Sequence, residues 1–259
     1  MTFTANGIEA LLLAELWTYA WPFFRITGLV MVAPVFGTRL VPVRVRIALS
    51  VALTAALAPV IDAPQAAGWS LVSLLMIVHE LLLGIVLGFE LQMLFDALVI
   101  AGQTIAMTMG LGFATMVDPQ RGVSVPLLAQ FFVILGILVF LTLNGHLALL
   151  ALLAESFELI PIGVPLGRDS LWSLLAEGGE MFAGALRLAL PAVTALLVVN
   201  LAFGVMSRAA PTLNLFAVGF PTALLLGLVF LLLDIGGFVN VFSALLDATF
   251  LRLGDWLAG

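Results

Sequence analysis

The sequence predicts an all-α membrane protein with about six long apolar helices, arranged in hairpins with kinks, and a C-terminal amphipathic helix. Of its 259 residues, 63% are hydrophobic and only 9% are charged, whereas a soluble domain carries about 25% charged residues. The mean hydropathy is +1.27. Several segments also reach the roughly 20 apolar residues that a bilayer-spanning helix needs. We therefore predict a single membrane-embedded domain over residues 1–259.

The charged residues and the missing residue types exclude several classes of protein. The chain has nine Arg and fifteen Asp plus Glu, which gives a net charge of −6. Nucleic-acid binding, in contrast, needs a basic surface. The absence of Cys excludes disulfides and thiolate metal sites. The sequence also lacks the motifs of phosphate-binding loops, of zinc-dependent hydrolases and of hydrolases with a nucleophilic serine. We therefore predict no nucleic-acid partner, no enzyme activity, and no catalytic, cofactor-binding or metal-binding residues.

The first half of the chain contains three predicted apolar segments. The first runs from about Ile8 to Pro34 and includes Arg25, and the second, Ile47–Ile61, is short for a straight span. The third, from Trp69 to about Met116, is too long for one crossing, since a span takes about 20 residues. The sequence leaves open whether this third segment is one helix or a hairpin.

The second half begins with a charge-free segment from Gly122 to Ala154, which we expect to bend near Asn144. The residues from Glu155 to Glu180 read as an acidic connection between helices. Three more predicted helices follow it: Leu188–Ser207, Leu215–Leu233 and an amphipathic helix from Asn240 to the end.

Four ionisable side chains lie within the predicted apolar helices: Arg25, Glu80, Glu90 and Asp96. Each would cost about 2.5–3.5 kcal/mol at the centre of a lipid-exposed helix. We therefore expect them to face other protein groups, a hydrated path or the membrane interface. Two interpretations remain open, namely polar contacts between packed helices and the lining of a conduit.

Gly84 and Gly88 form a small-xxx-small pattern on the helix face that also carries Glu80. Small residues at this spacing let the backbone of a second helix approach closely. We predict that this face packs against a neighbouring helix.

The end of the third segment combines methionines with glycines, at Met107, Met109, Gly110, Gly112 and Met116. Met is flexible and fills irregular gaps, and Gly allows backbone conformations that a helix does not. The pattern has two interpretations, an ordinary helix-to-loop transition and a flexible seal.

A set of short motifs follows in order along the whole chain. They include Arg25-Ile26-Thr27-Gly28, the pair Arg44 and Arg46 after Pro42, and Glu80 with Gly84 and Gly88. Further motifs are Asp118-Pro119, Gly145-His146 and the run from Pro211 to Pro221. In their order and spacing, these motifs resemble the FliR family of flagellar type III export-gate proteins. Relatives of this family, the SctT or SpaR group, serve virulence injectisomes.

The resemblance implies a gate subunit in the bacterial inner membrane, within the flagellar basal body. The expected partners are FliP-like and FliQ-like subunits, with FlhB-like and FlhA-like export proteins alongside, and unfolded substrates would pass through. The resemblance also implies that residues 107–122 plug the closed pore, with Met107, Met109, Gly110, Gly112, Met116 and Gly122 as the plug residues. Arg25, Glu80, Glu90 and Asp96 would then contact partner helices more than lipid.

Two other functions stay open at the level of sequence. An injectisome gate subunit would share all of these motifs. A proton- or cation-coupled transporter could use Glu80, Glu90 or Asp96, since ionisable residues inside membrane helices often mark ion paths. Transporters usually show matched repeats with broken helices, and we find no such repeat in the sequence.

Overall fold

The computed structural model describes residues 5–38, 41–64, 70–111, 127–165, 167–209 and 215–259, and regular structure in these ranges is entirely helical. The predicted all-α class is confirmed. The α-helices are α1 (Ala5–Val32), α2 (Val43–Leu57), α3 (Leu71–Thr108), α4 (Leu127–Thr142), α5 (Gly145–Leu159), α6 (Arg168–Ala209), α7 (Leu215–Leu233) and α8 (Ile235–Ala258). A short 3-10 turn, Ala58–Val60, follows α2.

The chain forms two compact units, each assembled from segments that are distant in the sequence. Unit 1 contains Met1–Met93, Gly145–Glu177 and Thr249–Gly259, and unit 2 contains Leu94–Asn144 and Gly178–Ala248. The single domain over residues 1–259 stays a prediction.

In unit 1, α1 packs on α2 and on the first half of α3. Trp17 and Trp21 are fully buried on α1, and their rings stack with centroids 4.7 Å apart. The Trp21 indole Nε1 donates a hydrogen bond to the Pro64 carbonyl at 3.2 Å. This bond ties the chain after α2 back to α1, so the N-terminal part of unit 1 is fixed by both apolar and polar contacts.

The core of unit 2 is a cluster of phenylalanine rings. Phe95 lies edge-to-face against both Phe140 and Phe242, at 5.9 Å between centroids in each pair. Phe132 meets Phe238 at 5.1 Å in the same geometry. Edge-to-face pairs add about 0.5–1.5 kcal/mol beyond the burial of their area. The cluster therefore joins α3, α4 and α8 without any charged group.

The long third segment is one continuous helix, which settles the choice that the sequence left open. With 38 residues at 1.5 Å each, α3 is about 57 Å long. The hydrocarbon core of a bilayer is only about 30 Å thick. An upright α3 would therefore extend well beyond the hydrocarbon core.

The predicted bend near Asn144 is confirmed. Helix α4 ends at Thr142 and α5 begins at Gly145. Asn144 has a φ of 57°, in the left-handed region, which Asn occupies more readily than most residues. This break splits one predicted segment into two helices, so the predicted count of about six helices was approximate.

The prediction of an acidic connection from Glu155 to Glu180 was wrong, because most of this stretch is helical. Helix α5 continues to Leu159 and α6 already begins at Arg168. Glu and Leu are both good helix formers, so charge alone does not end a helix. For the same reason the predicted helix Leu188–Ser207 is only part of α6, which has 42 residues.

The predicted C-terminal amphipathic helix is confirmed, although α8 begins earlier, at Ile235. Its apolar face is buried through Phe238, Phe242, Leu246, Leu253 and Leu257. Asn240 and Asp247 lie exposed on the opposite side.

By length and apolar composition, four helical stretches of the described residues can cross a membrane. They are Val43–Val60, Leu71–Thr108, Trp172–Ala209 and Ile235–Ala258. The broken pair α4 and α5 would make a fifth span if it is counted as one.

Candidate functional site

A buried ion pair joins α1 and α3 in unit 1. The Arg25 Nε lies 2.8 Å from the Glu80 Oε2, and both side chains are 0% exposed. The Arg25 Nη1 donates hydrogen bonds to the carbonyl and hydroxyl oxygens of Ser156, at 2.7 and 3.2 Å. Its Nη2 donates to the Ile160 carbonyl at 2.9 Å. The backbone N–H of Gly163 donates to the Glu80 Oε1 at 3.4 Å. The Arg25 guanidinium therefore links α1 to α3 and to the end of α5.

The geometry shows why Arg rather than Lys suits this position. The planar guanidinium offers five N–H donors in a fixed fork, and Arg25 directs them to three residues on two other segments. The Arg25 guanidinium carbon also lies 4.2 Å from the centroid of the Phe157 ring, close enough for a cation–π contact. Arg25 and Glu80 therefore neutralise each other inside the chain and need no partner subunit for that purpose.

The glycines of α1 and α3 make this pairing possible. A Cβ added at Gly84 would overlap the backbone of Arg25, and one added at Gly28 would overlap the Leu81 carbonyl. At Gly88 an added Cβ would lie 3.0 Å from the Leu29 carbonyl oxygen. The two helix backbones are therefore in direct contact. The neighbour that packs on Gly84 and Gly88 is α1 of the same chain.

The other two predicted ionisable residues lie elsewhere on α3. Glu90 is 6% exposed and sits ten residues after Glu80, about 15 Å further along the helix axis. Its Oε1 has no hydrogen-bond partner among the described residues. Asp96 is half-buried on the part of α3 that belongs to unit 2.

The first predicted plug residues lie at the end of α3, in unit 2. Met107 is 63% exposed, whereas Met109 is 1% exposed. Met109 packs on Gly227 of α7, where an added Cβ would lie 2.6 Å from the Met109 Cε. Gly110 has a φ of 84°, which ends the helix in a conformation that favours Gly. Gly112, Met116 and Gly122 lie outside the described residues.

Sequence reasoning missed the groups that complete these sites. Ser156, Phe157 and Ile160 bind Arg25 largely through backbone carbonyls and a ring face, which leave no signal in the spacing of residue types. Glu177 and Arg252 form an ion pair at 2.8 Å, but Glu177 falls in the stretch that we interpreted as a connection. A lone Arg in an amphipathic helix was the only sequence signal for that pair.

Several helices long and apolar enough to cross a bilayer, packed on one another through glycine contacts, define a multi-helix integral membrane protein. Residues 16–249 match the family described as bacterial export proteins, family 1. The chain therefore belongs to this family, the FliR family of export proteins, and the resemblance seen in the sequence is confirmed.

Several characterised relatives carry the same name, flagellar biosynthetic protein FliR. The chain is 42% identical over 211 residues to FliR of Escherichia coli (strain K12), covering 81% of each protein. It is 41% identical over 211 residues to FliR of Pectobacterium carotovorum subsp. carotovorum, again with 81% of each covered. Against FliR of Bacillus subtilis (strain 168) the identity is 32% over 214 residues, covering 81% of this chain and 83% of the relative.

Proposed function

We propose that this chain is a subunit of the flagellar type III protein-export gate and forms part of a gated conduit for unfolded export substrates. The observation that carries this proposal is the 42% identity to a flagellar biosynthetic protein over 81% of both chains. The apolar helices and the all-α fold agree with a membrane-embedded component. The chain would act as a wall of the conduit and not as an enzyme.

The proposed assembly contains FliP-like and FliQ-like subunits, with FlhB-like and FlhA-like export proteins alongside, in the inner membrane at the flagellar basal body. Purification in mild detergent from flagellated cells tests it. A tagged chain should bring FliP-like and FliQ-like subunits with it, and cells lacking the chain should make no flagella. A chain that purifies without these subunits from cells that still need it for motility would contradict the gate assignment.

Residues 107–122, the plug segment, would seal the closed conduit. In the described part, Met107 is exposed near the end of α3, and Gly110, just after the helix, has a left-handed backbone conformation. Each contact of a Met side chain is weak, and the side chain adapts to irregular gaps. Such a seal can open for a passing chain and then form again.

Deleting residues between Met109 and Gly122 should make the closed gate leak small ions, while export of flagellar proteins persists. Met107→Glu should produce a smaller leak, because a charge at an exposed position keeps water in the seal without disturbing the core. The measurement is ion permeability of cells that carry the assembled complex.

Met206→Glu is the matched control, because Met206 is also an exposed methionine of unit 2, at 46%. Its permeability should equal that of the unmodified gate. Unchanged permeability after the deletion, with the complex intact, would contradict the plug interpretation. The plug segment would then be an ordinary helix-to-loop transition.

A further inference from the structure

We infer that a pocket around Glu90 receives a basic side chain, Arg or Lys, from another subunit of the export apparatus. This inference rests on the proposed function, because it needs an assembly in which partner chains cover unit 1. We call the site the acidic pocket and define it by Glu90, Glu177, Arg252, Asp255 and Trp256, which line a cavity of about 420 Å³. All of these residues belong to unit 1.

The unusual feature of the acidic pocket is the state of Glu90. Its side chain is 6% exposed, yet the Oε1 atom receives no hydrogen bond from the described residues. A buried carboxylate oxygen that receives no hydrogen bond is unfavourable. An unsatisfied buried polar group calls for a specific role or partner, and the position of Glu90 on the wall of a pocket points to a donor that enters this pocket.

Arg252, the cationic side chain that lines the pocket, already has partners. Arg252 pairs through Nε with the Glu177 Oε2 at 2.8 Å, and its Nη2 donates to the Thr249 hydroxyl at 3.3 Å. The lining contains three carboxylates, those of Glu90, Glu177 and Asp255, and one guanidinium. Negative charge is therefore in excess, and a positive group that also donates hydrogen bonds would balance it.

The walls of the pocket favour a side chain over a free ion. Leu253 and Trp256 supply apolar lining against which the alkyl stem of Lys or Arg can pack while its head reaches a carboxylate. Among the described residues no group of three or more acidic or His side chains could hold a metal ion. The site thus offers one buried acceptor for a cationic head and an apolar wall for a stem.

A lipid amine fits the charges less well. The ammonium of an ethanolamine headgroup lies only two carbons from a phosphate, so its binding would bring a negative group towards Glu177 and Asp255. That repulsion would cancel much of the attraction, since Coulomb energies are large in a poorly hydrated site. An Arg or Lys side chain carries no such second charge.

The test compares Glu90→Gln in the chain alone with the same change in the complex. Without partners, Gln removes the buried charge of Glu90 at nearly constant shape, so the protease resistance of the membrane-inserted chain should rise or stay the same. In cells that co-express the FliP-like and FliQ-like subunits, the yield of assembled complex should fall at least about tenfold, because a buried cation then loses its counter-ion. A purely structural role for Glu90 would lower both measurements together, and that result would overturn the inference.

Glu158→Gln serves as the matched control, because Glu158 is an exposed carboxylate of the same unit. It should leave both the protease resistance and the yield unchanged. An equal loss of complex with Glu158→Gln would contradict a specific role for the acidic pocket.

A photo-crosslinking residue at Asp255, which is exposed at the pocket, identifies the occupant in the assembled complex. The expected product joins this chain to a peptide of another subunit that contains Arg or Lys near the cross-link. Cross-links only to phospholipid, or only within this chain, would overturn the inference. If one of these results overturns the inference while the wild-type chain assembles and supports flagella, the pocket assignment fails and the proposed function stands.

Discussion

At Arg25 a single side chain carries several interactions that other residues cannot replace. Its guanidinium binds Glu80, Ser156 and Ile160 and lies over the Phe157 ring. Removing one member of a buried ion pair typically costs about 3–5 kcal/mol, because the other charge is left without compensation. The contribution of each charge therefore depends on the presence of the other.

We predict that Arg25→Met strongly destabilises the chain, by about 3–5 kcal/mol, because Glu80 is then buried without its cation. The measurement is resistance of the membrane-inserted protein to protease. Arg187→Met, at an exposed arginine of α6, is the control and should have little effect.

The double variant Arg25→Met with Glu80→Met should recover part of the lost resistance, because two apolar side chains no longer leave a buried charge. A double variant as unstable as the sum of the two single variants would show that the two charges act independently. That outcome would contradict the coupling that we infer from the 2.8 Å contact.

At this scale the sequence revealed which residues needed a partner but not which partner they had. Arg25 and Glu80 stood out because charges are costly in apolar helices. Their pairing depends on the approach of α1 to α3, and the acceptors at Ser156 and Ile160 include backbone carbonyls that every residue possesses. Pairwise geometry of this kind is set by packing, which a single sequence does not display.

At the scale of the helices, the contact between α1 and α3 depends on the absence of side chains at Gly28, Gly84 and Gly88. We predict that Gly84→Ala destabilises unit 1, although Ala is the better helix former by about 0.8–1.0 kcal/mol. An added Cβ would overlap the backbone of Arg25, so the helices would have to separate and the ion pair would lengthen. Thermal aggregation in detergent measures the change.

Gly204→Ala is the matched control, since Gly204 lies within α6 and nothing stands within 4 Å of an added Cβ. This control should be neutral or stabilising because helix propensity then acts alone. If Gly84→Ala behaves like Gly204→Ala, the close contact between α1 and α3 does not contribute to stability.

The sequence predicted well which segments are helical, but it predicted poorly where the helices begin and end. Long apolar runs and the bend at Asn144 were predictable because they depend on local residue preferences. The start of α6 at Arg168 was not, because an acidic, Gly-containing stretch is compatible with both a loop and an exposed helix. The sequence also did not show whether α3 is one helix or a hairpin. Glu80 and Glu90 could have marked a turn, because their burial within a continuous helix depends on tertiary contacts and not on local propensity.

At the scale of the whole chain, much of the described apolar surface is uncovered. Helix α6 alone exposes Leu186, Leu197, Val198, Leu201 and Val205, each at more than half of its area. Arg25 and Glu80 neutralise each other, so our proposal of partner subunits draws on this apolar surface and on Glu90 instead. Lipid can cover apolar side chains, but its headgroup amine, which lies close to a phosphate, suits the carboxylates of the acidic pocket less well than an Arg or Lys side chain.

We therefore predict that the chain expressed alone does not form a monodisperse monomer in mild detergent. Light scattering after size-exclusion chromatography should show mixed species, and co-expression with FliP-like and FliQ-like subunits should give one species of defined mass. A thermally stable monomer without partners would be evidence against this prediction.

The sequence separation between the partners of Arg25 has a consequence for biosynthesis. Glu80 follows Arg25 by 55 residues and Ser156 follows it by 131. At a translation rate of about 5–20 residues per second, Glu80 is made roughly 3–11 s after Arg25, and Ser156 later still. During this interval α1 carries an uncompensated cation, which costs about 2.5–3.5 kcal/mol at the centre of a lipid-exposed helix. We therefore expect α1 to stay near water or protein until α3, and then α5, have been synthesised.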